Sequence, residues 1–190
     1  MKSATTTLAG LFLCATLFAQ PVPVKNSFQS DLVKVISDYP AHFKNLAGES
    51  VVDNPQVSEY ACRLAVKDAL ECKVSRYSSA TKEIYSWECV MLRTDEFDEA
   101  AKKFRSLYNA IQLLSVPVNG TTAVLKGKYM QPAASVKFTS VMFDAAEKNP
   151  SLNNLKVELL LEAEMLDWVI KVLVYEKERE DTDPGRRVDR

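Results

Sequence analysis

A chain of 190 residues, 47% of them hydrophobic, is long enough to fold as one domain around a proper core. Its 24 basic and 25 acidic residues leave a formal charge of −1, which supplies no electrostatic reason to bind nucleic acid or an anionic membrane. Five glycines with no GxGxxG, P-loop or GxSxG set aside nucleotide-binding loops and the α/β-hydrolase elbow, and a single histidine, His42, excludes two-histidine metal sites.

Residues 1–19 carry one early charge, Lys2, then an apolar run from Leu8 to Ala19 with no acid. That pattern reads as a cleaved secretory signal, with Leu17 and Ala19 at the −3 and −1 positions and Pro21 keeping the cut region extended. The run falls well short of the roughly 20 residues a spanning helix needs. Leu13 before Cys14 does not fit a lipidation site, so Cys14 is expected to leave with the signal. Losing Lys2 leaves 23 bases against 25 acids, a mature charge of about −2. Residues 20–27 then form an extended leader, residues 28–177 a single α+β domain, and residues 178–190, charged and containing Pro184 and Gly185, a disordered tail. The destination is the outside or the periplasm, with a bacterial envelope preferred.

Within the domain, Phe28, Leu32, Val35, Ile36, Tyr39, Phe43 and Leu46 recur at helical spacing. Ser30 is the expected cap, Gly48 the expected exit, and Pro40 should break or restart the helix after Asp38. The period then changes to two. Tyr60, Cys62, Leu64 and Val66 alternate with Arg63 and Lys67; Leu70, Cys72 and Val74 with Glu71 and Lys73; Tyr85, Trp87, Cys89 and Met91 with Ser86 and Glu88. Three antiparallel strands are expected, with hairpin turns near Lys67–Asp68 and residues 78–81. A second helix covers residues 95–115, capped by Asp95, with Glu96, Asp98 and Glu99 in its first turn and Pro117 as its stop. Further strands are expected at 121–130, 136–144, 156–164 and 168–177. "NGT" at Asn119–Thr121 is a turn before the first of these.

These elements predict an antiparallel sheet of six or seven strands covered on one face by two helices. A duplicated αβββ unit is an open variant, since Phe28 and Tyr39 recur as Phe97 and Tyr108.

Cys62, Cys72 and Cys89 fall on inward faces of successive strands, so an oxidising compartment allows one disulfide. Cys62 opposes Cys72 if the first turn centres on residues 66–68, and Cys72 opposes Cys89 if the second centres on Ala80–Thr81; spacing leaves the choice open. No CxxC or zinc pattern is present, and no cofactor or metal is expected. His42, four positions after Asp38, reads as a surface residue. The acids Asp95, Glu96, Asp98, Glu99, Glu158, Glu162 and Glu164 read as solvated faces. Tyr77 and Tyr175 fall on the outward face and could pair across strands or offer a partner surface. Around them Arg63, Lys67, Glu71, Lys73, Lys126, Lys128, Glu158, Glu162 and Lys171 mix signs, as a soluble face does. With a patterned core and no cluster of catalytic types, the expectation is a non-enzymatic exported domain that binds a protein or small ligand. The alternative is a secreted hydrolase acting on an extracellular polymer through a carboxylate pair.

Overall fold

The first helix, α1, starts at Phe28 because Ser27 and Ser30 cap each other: the Ser27 hydroxyl accepts from the Ser30 N–H, and the Ser30 hydroxyl accepts from the Ser27 N–H. The cap is therefore Ser27, one turn earlier than Ser30. The computed structural model describes residues 27–78, 82–145, 152 and 154–177; the expected signal with Cys14, the leader before Ser27, the turn at Ala80–Thr81 and the tail 178–190 lie outside them.

Helix α1 (Phe28–Asp38) ends where Pro40 demands, in a three-residue 3-10 turn, Tyr39–Ala41. It does not restart. His42 and Phe43 take left-handed backbone angles, φ 57° and 55°, and the chain reverses into strand β1 (Ala47–Asp53). Gly48, expected at a helix exit, lies in that strand instead. A Cβ there would stand 2.6 Å from the Ala61 carbonyl oxygen, so only glycine lets the backbones approach this closely.

Strands β2 (Val57–Cys62), β3 (Glu71–Ser78) and β4 (Glu83–Thr94) follow. The expected run through Leu64 and Val66 is cut short at Cys62, because residues beyond it turn toward α1: Val66 is buried, and the Lys67 N–H donates to Oδ2 of buried Asp31 at 3.1 Å. Arg63 and Lys67 thus belong to a connection, not to the outward sheet face. Helix α2 (Phe97–Ile111) has Glu96, not Asp95, at its cap position. Thr94 serves its entry, since its hydroxyl accepts from the Glu96 N–H at 3.2 Å and donates to Glu99 at 2.7 Å. The helix stops at Ile111, short of the expected 115. Leu113 takes φ 63°, and strand β5 (Ser115–Val118) begins, with Pro117 inside it as an edge strand permits. Left-handed Asn119 and Gly120 make the two-residue turn into β6 (Thr121–Gly127). Strands β7 (Phe138–Ala145), β8 (Leu155–Glu164) and β9 (Asp167–Glu176) complete the sheet.

The class is α+β; the described residues form two α-helices and a nine-stranded antiparallel sheet ordered β1-β2-β3-β4-β9-β8-β7-β6-β5. The seven strand ranges expected miss the two edges, β1 and β5, and a count of six falls further short. Strand β1 is mostly exposed and carries register irregularities, and β5 alternates over only four residues, too few to stand out beside the end of α2. A repeated αβββ unit is not matched either: α1 is followed by four strands and α2 by five. Both helices do begin at a phenylalanine, Phe28 and Phe97, and the last strand of each half meets the other at the centre, β4 against β9.

That central pair holds the core. Trp87 lies opposite Val174 and Cys89 opposite Val172, all fully buried. Leu32, Val35 and Ile36 of α1 and Ala100, Phe104, Leu107 and Ile111 of α2 close over the same face. Each large side chain so buried stabilises the fold by about 1.5–3 kcal/mol.

Candidate functional site

The inner face is covered along the centre, but at the β2–β3–β4 end its alternation continues past the last helical residue. Val74 is buried, and the next inward residue of β3 is Arg76, flanked in register by Ser58 of β2 and Tyr85 of β4. The reversal after α1 supplies the facing wall. Buried Asp38 accepts from both the backbone N–H and the side-chain amide of Asn45, and Phe43 is driven into the core, which fixes the loop that carries His42 and Lys44. His42 lies over Tyr85 with ring centroids 4.7 Å apart. It is exposed, as expected, but its neighbour is this ring; the 3-10 turn destroys the helical phase that would have set it on Asp38.

His42, Lys44, Ala47, Tyr60, Val74, Arg76 and Tyr85 enclose a recess of about 470 Å³ counted out to solvent. Two cations, Lys44 and Arg76, and two phenol rings surround an apolar floor. Arg76 is held from behind: its Nη2 donates to Ser58 Oγ at 2.9 Å, and Ser58 in turn donates to Asp53 at 3.1 Å. Its Nη1 stands 3.5 Å from Glu83, whose other oxygen accepts from the Tyr85 hydroxyl at 2.8 Å. Burial, with that bond to Glu83, raises the Tyr85 phenol above its ordinary range, so it stays protonated. Arg76 Nε is buried with no hydrogen-bond partner.

The three cysteines occupy the other end of the same inner face. Cys72 and Cys89 are register partners at disulfide distance, with sulfurs 1.98 Å and Cα atoms 4.0 Å apart. Cys62 is free and half-buried, and its sulfur accepts from the Trp87 indole N–H at 3.4 Å.

Tyr77 and Tyr175 share the outer face at one end of the sheet, separated by β4; Tyr77 is exposed, whereas the Tyr175 hydroxyl donates to Glu158 at 3.1 Å. Burial first, and the Glu158 charge second, push Tyr175 up to about 12. Glu162 and Glu164 both accept from Lys171, at 2.7 and 2.5 Å, and Arg93 donates to Glu164 at 2.9 Å. Those cations hold the Glu164 carboxyl below its ordinary range. Among the described residues no group of three or more metal-ligating side chains comes together, and no helix is long and apolar enough to cross a membrane.

No family model, curated protein or solved structure matches this chain.

Proposed function

We propose that this chain is an exported, non-enzymatic binding domain of a bacterial envelope that holds a small anion with an aromatic or apolar body in the recess between His42, Lys44, Arg76 and Tyr85. The meeting of Arg76 and Lys44 with the Tyr60 and Tyr85 rings around one recess is the observation that carries this reading. Arg76, anchored through Ser58 and Glu83, brings a positioned positive charge and its remaining Nη N–H bonds to a carboxylate or phosphate, Lys44 adds a point charge, and Tyr60, Tyr85 and Val74 give the rest of the ligand an apolar wall. The carboxylate-pair hydrolase has less support. A general acid must be kept protonated at neutral pH, whereas Glu164 is driven the other way, and Glu158 and Glu162 stand on the open outer face bonded to Tyr175 and Lys171.

Phenyl phosphate is the probe that tests it. Titrated into isotope-labelled protein, it is expected to shift the backbone amides of residues 42–47, 58–60, 74–76 and 85, while benzylamine leaves them unmoved. Arg76→Gln should weaken phenyl phosphate at least about tenfold, or about 1.4 kcal/mol. Equal response to the two probes, or an unchanged affinity in Arg76→Gln, overturns the site.

Export has its own measurement. The intact mass of protein taken from its native envelope fraction is expected to begin at Gln20, without Cys14. A species retaining residues 1–19, or carrying lipid on Cys14, sinks that part of the reading.

A further inference from the structure

The β2–β3 ladder runs Val57↔Tyr77 through Ala61↔Lys73, so its next rung sets Cys62 beside Cys72. On the other side of β3 the partner of Cys72 is Cys89. Cys72 thus stands in the middle of a row of three cysteines running across the strands, although the chain between β2 and β3 is a longer connection than the three-residue turn expected there. Adjacent strands lie about 4.8 Å apart and directly opposed residues have Cα separations a disulfide can span, so Cys72 can reach either neighbour.

We propose that Cys62, Cys72 and Cys89 form a thiol–disulfide exchange site, in which the Cys62 thiolate attacks Cys72 Sγ and displaces Cys89. The Cys62–Cys72 bond forms, the Cys72–Cys89 bond breaks, the electron pair leaves on the Cys89 sulfur, and Cys89 takes up a proton in place of the one Cys62 gave up. The two arrangements are isomers, and no oxidant or reductant is consumed.

Three features of the site favour this step. Exchange needs attacking, central and leaving sulfurs roughly in line, and a row perpendicular to the strands supplies that order. Access is one-sided: Cys62 and Cys72 both line a recess of about 460 Å³ open to solvent, whereas Cys89 is fully buried, so Cys72 is the bridge sulfur that can be reached. The indole N–H of Trp87, itself immobile in the core, holds the Cys62 sulfur in place. Bridging Cys62 to Cys72 moves the staple from β3–β4 to β2–β3, and the freed thiol retires into the core.

The inference rests on the Cys72–Cys89 bridge and is independent of the ligand recess. Dilute full-length mature protein is held at pH 8.5 without added thiol, quenched in acid, alkylated in denaturant at low pH, and digested without reduction. Alkylation is expected to divide between Cys62 and Cys89, with a Cys62–Cys72 peptide appearing as Cys89 becomes labelled, independently of protein concentration. In Cys89→Ala the remaining pair is expected to bridge on folding in air. Alkylation confined to Cys62 for a day, or a folded Cys89→Ala variant with two free thiols, is each sufficient to overturn exchange. Three alkylated cysteines at time zero would instead remove the bridge itself.

Discussion

Trp87→Ala is expected to cost about 3–5 kcal/mol, the range for emptying a large aromatic site in a core that cannot collapse around it. Trp87 is fully buried on the inner face of β4, between Val74 of β3 and Val174 of β9, at the seam where the two halves of the chain meet. Both neighbours are held by ladders on either side, so the cavity has little means of closing. Against a total stability of about 5–15 kcal/mol, such a loss could leave the variant unfolded. Trp87→Phe keeps the ring in place but removes the N–H bonded to Cys62, and is expected to cost about 1–2 kcal/mol. Urea unfolding followed by circular dichroism measures both. A loss below about 1.5 kcal/mol in Trp87→Ala, with an unchanged dependence on urea, would mean that the core is not organised around this residue.

What made the centre of this fold legible is the same burial. On β4, β8 and β9 the inward series Trp87, Cys89, Val157, Leu159, Ile170, Val172 and Val174 is excluded from water and writes the period of two into the chain, even though Leu160 and Val169 are buried on the other face. The edges leave no such record. In β1, Val51 and Val52 are adjacent and both exposed, and irregular pairing with β2 removes the alternation that a regular ladder would impose. In β5, four residues with a proline follow so closely on α2 that Leu114 and Pro117 read as the end of a helix. The loop after α1 was illegible for a different reason: two successive non-glycine residues in left-handed conformation, His42 and Phe43, have no residue signature and are paid for by the burial of Phe43.

The recess shows the limit of local pattern more plainly. His42 and Lys44 come from the reversal after α1, Tyr60 from β2, Arg76 from β3 and Tyr85 from β4. No spacing along the chain encodes their meeting, since it depends on the order of the strands. One signal was available. Arg76 continues the inward series Cys72, Val74, and a cation at an inward position needs either a partner or a ligand. Reading that alternation two residues further points to the end of the sheet where the core stops and the polar network of Ser58, Asp53 and Glu83 begins.

The row of cysteines yields the second large effect, a graded one. A bridge between residues 17 apart restricts the unfolded chain enough to be worth about 3 kcal/mol. Cys72→Ala removes the sulfur common to both pairings, and is expected to lose that whole amount in urea unfolding under non-reducing conditions. Cys89→Ala leaves Cys62 and Cys72 on neighbouring strands, able to close a loop of shorter span, so part of the stabilisation returns and the loss should be smaller by about 1–2 kcal/mol. Cys62→Ala keeps the original bridge and gives up only a half-buried sulfur and its contact with Trp87, so it should cost least, about 1 kcal/mol. Adding a reductant should narrow the gap between Cys72→Ala and the unsubstituted protein, because reduction opens the bridge that the substitution has already removed. Equal losses from all three substitutions, insensitive to reductant, would make these residues ordinary core thiols and leave the row across β2, β3 and β4 without a covalent role.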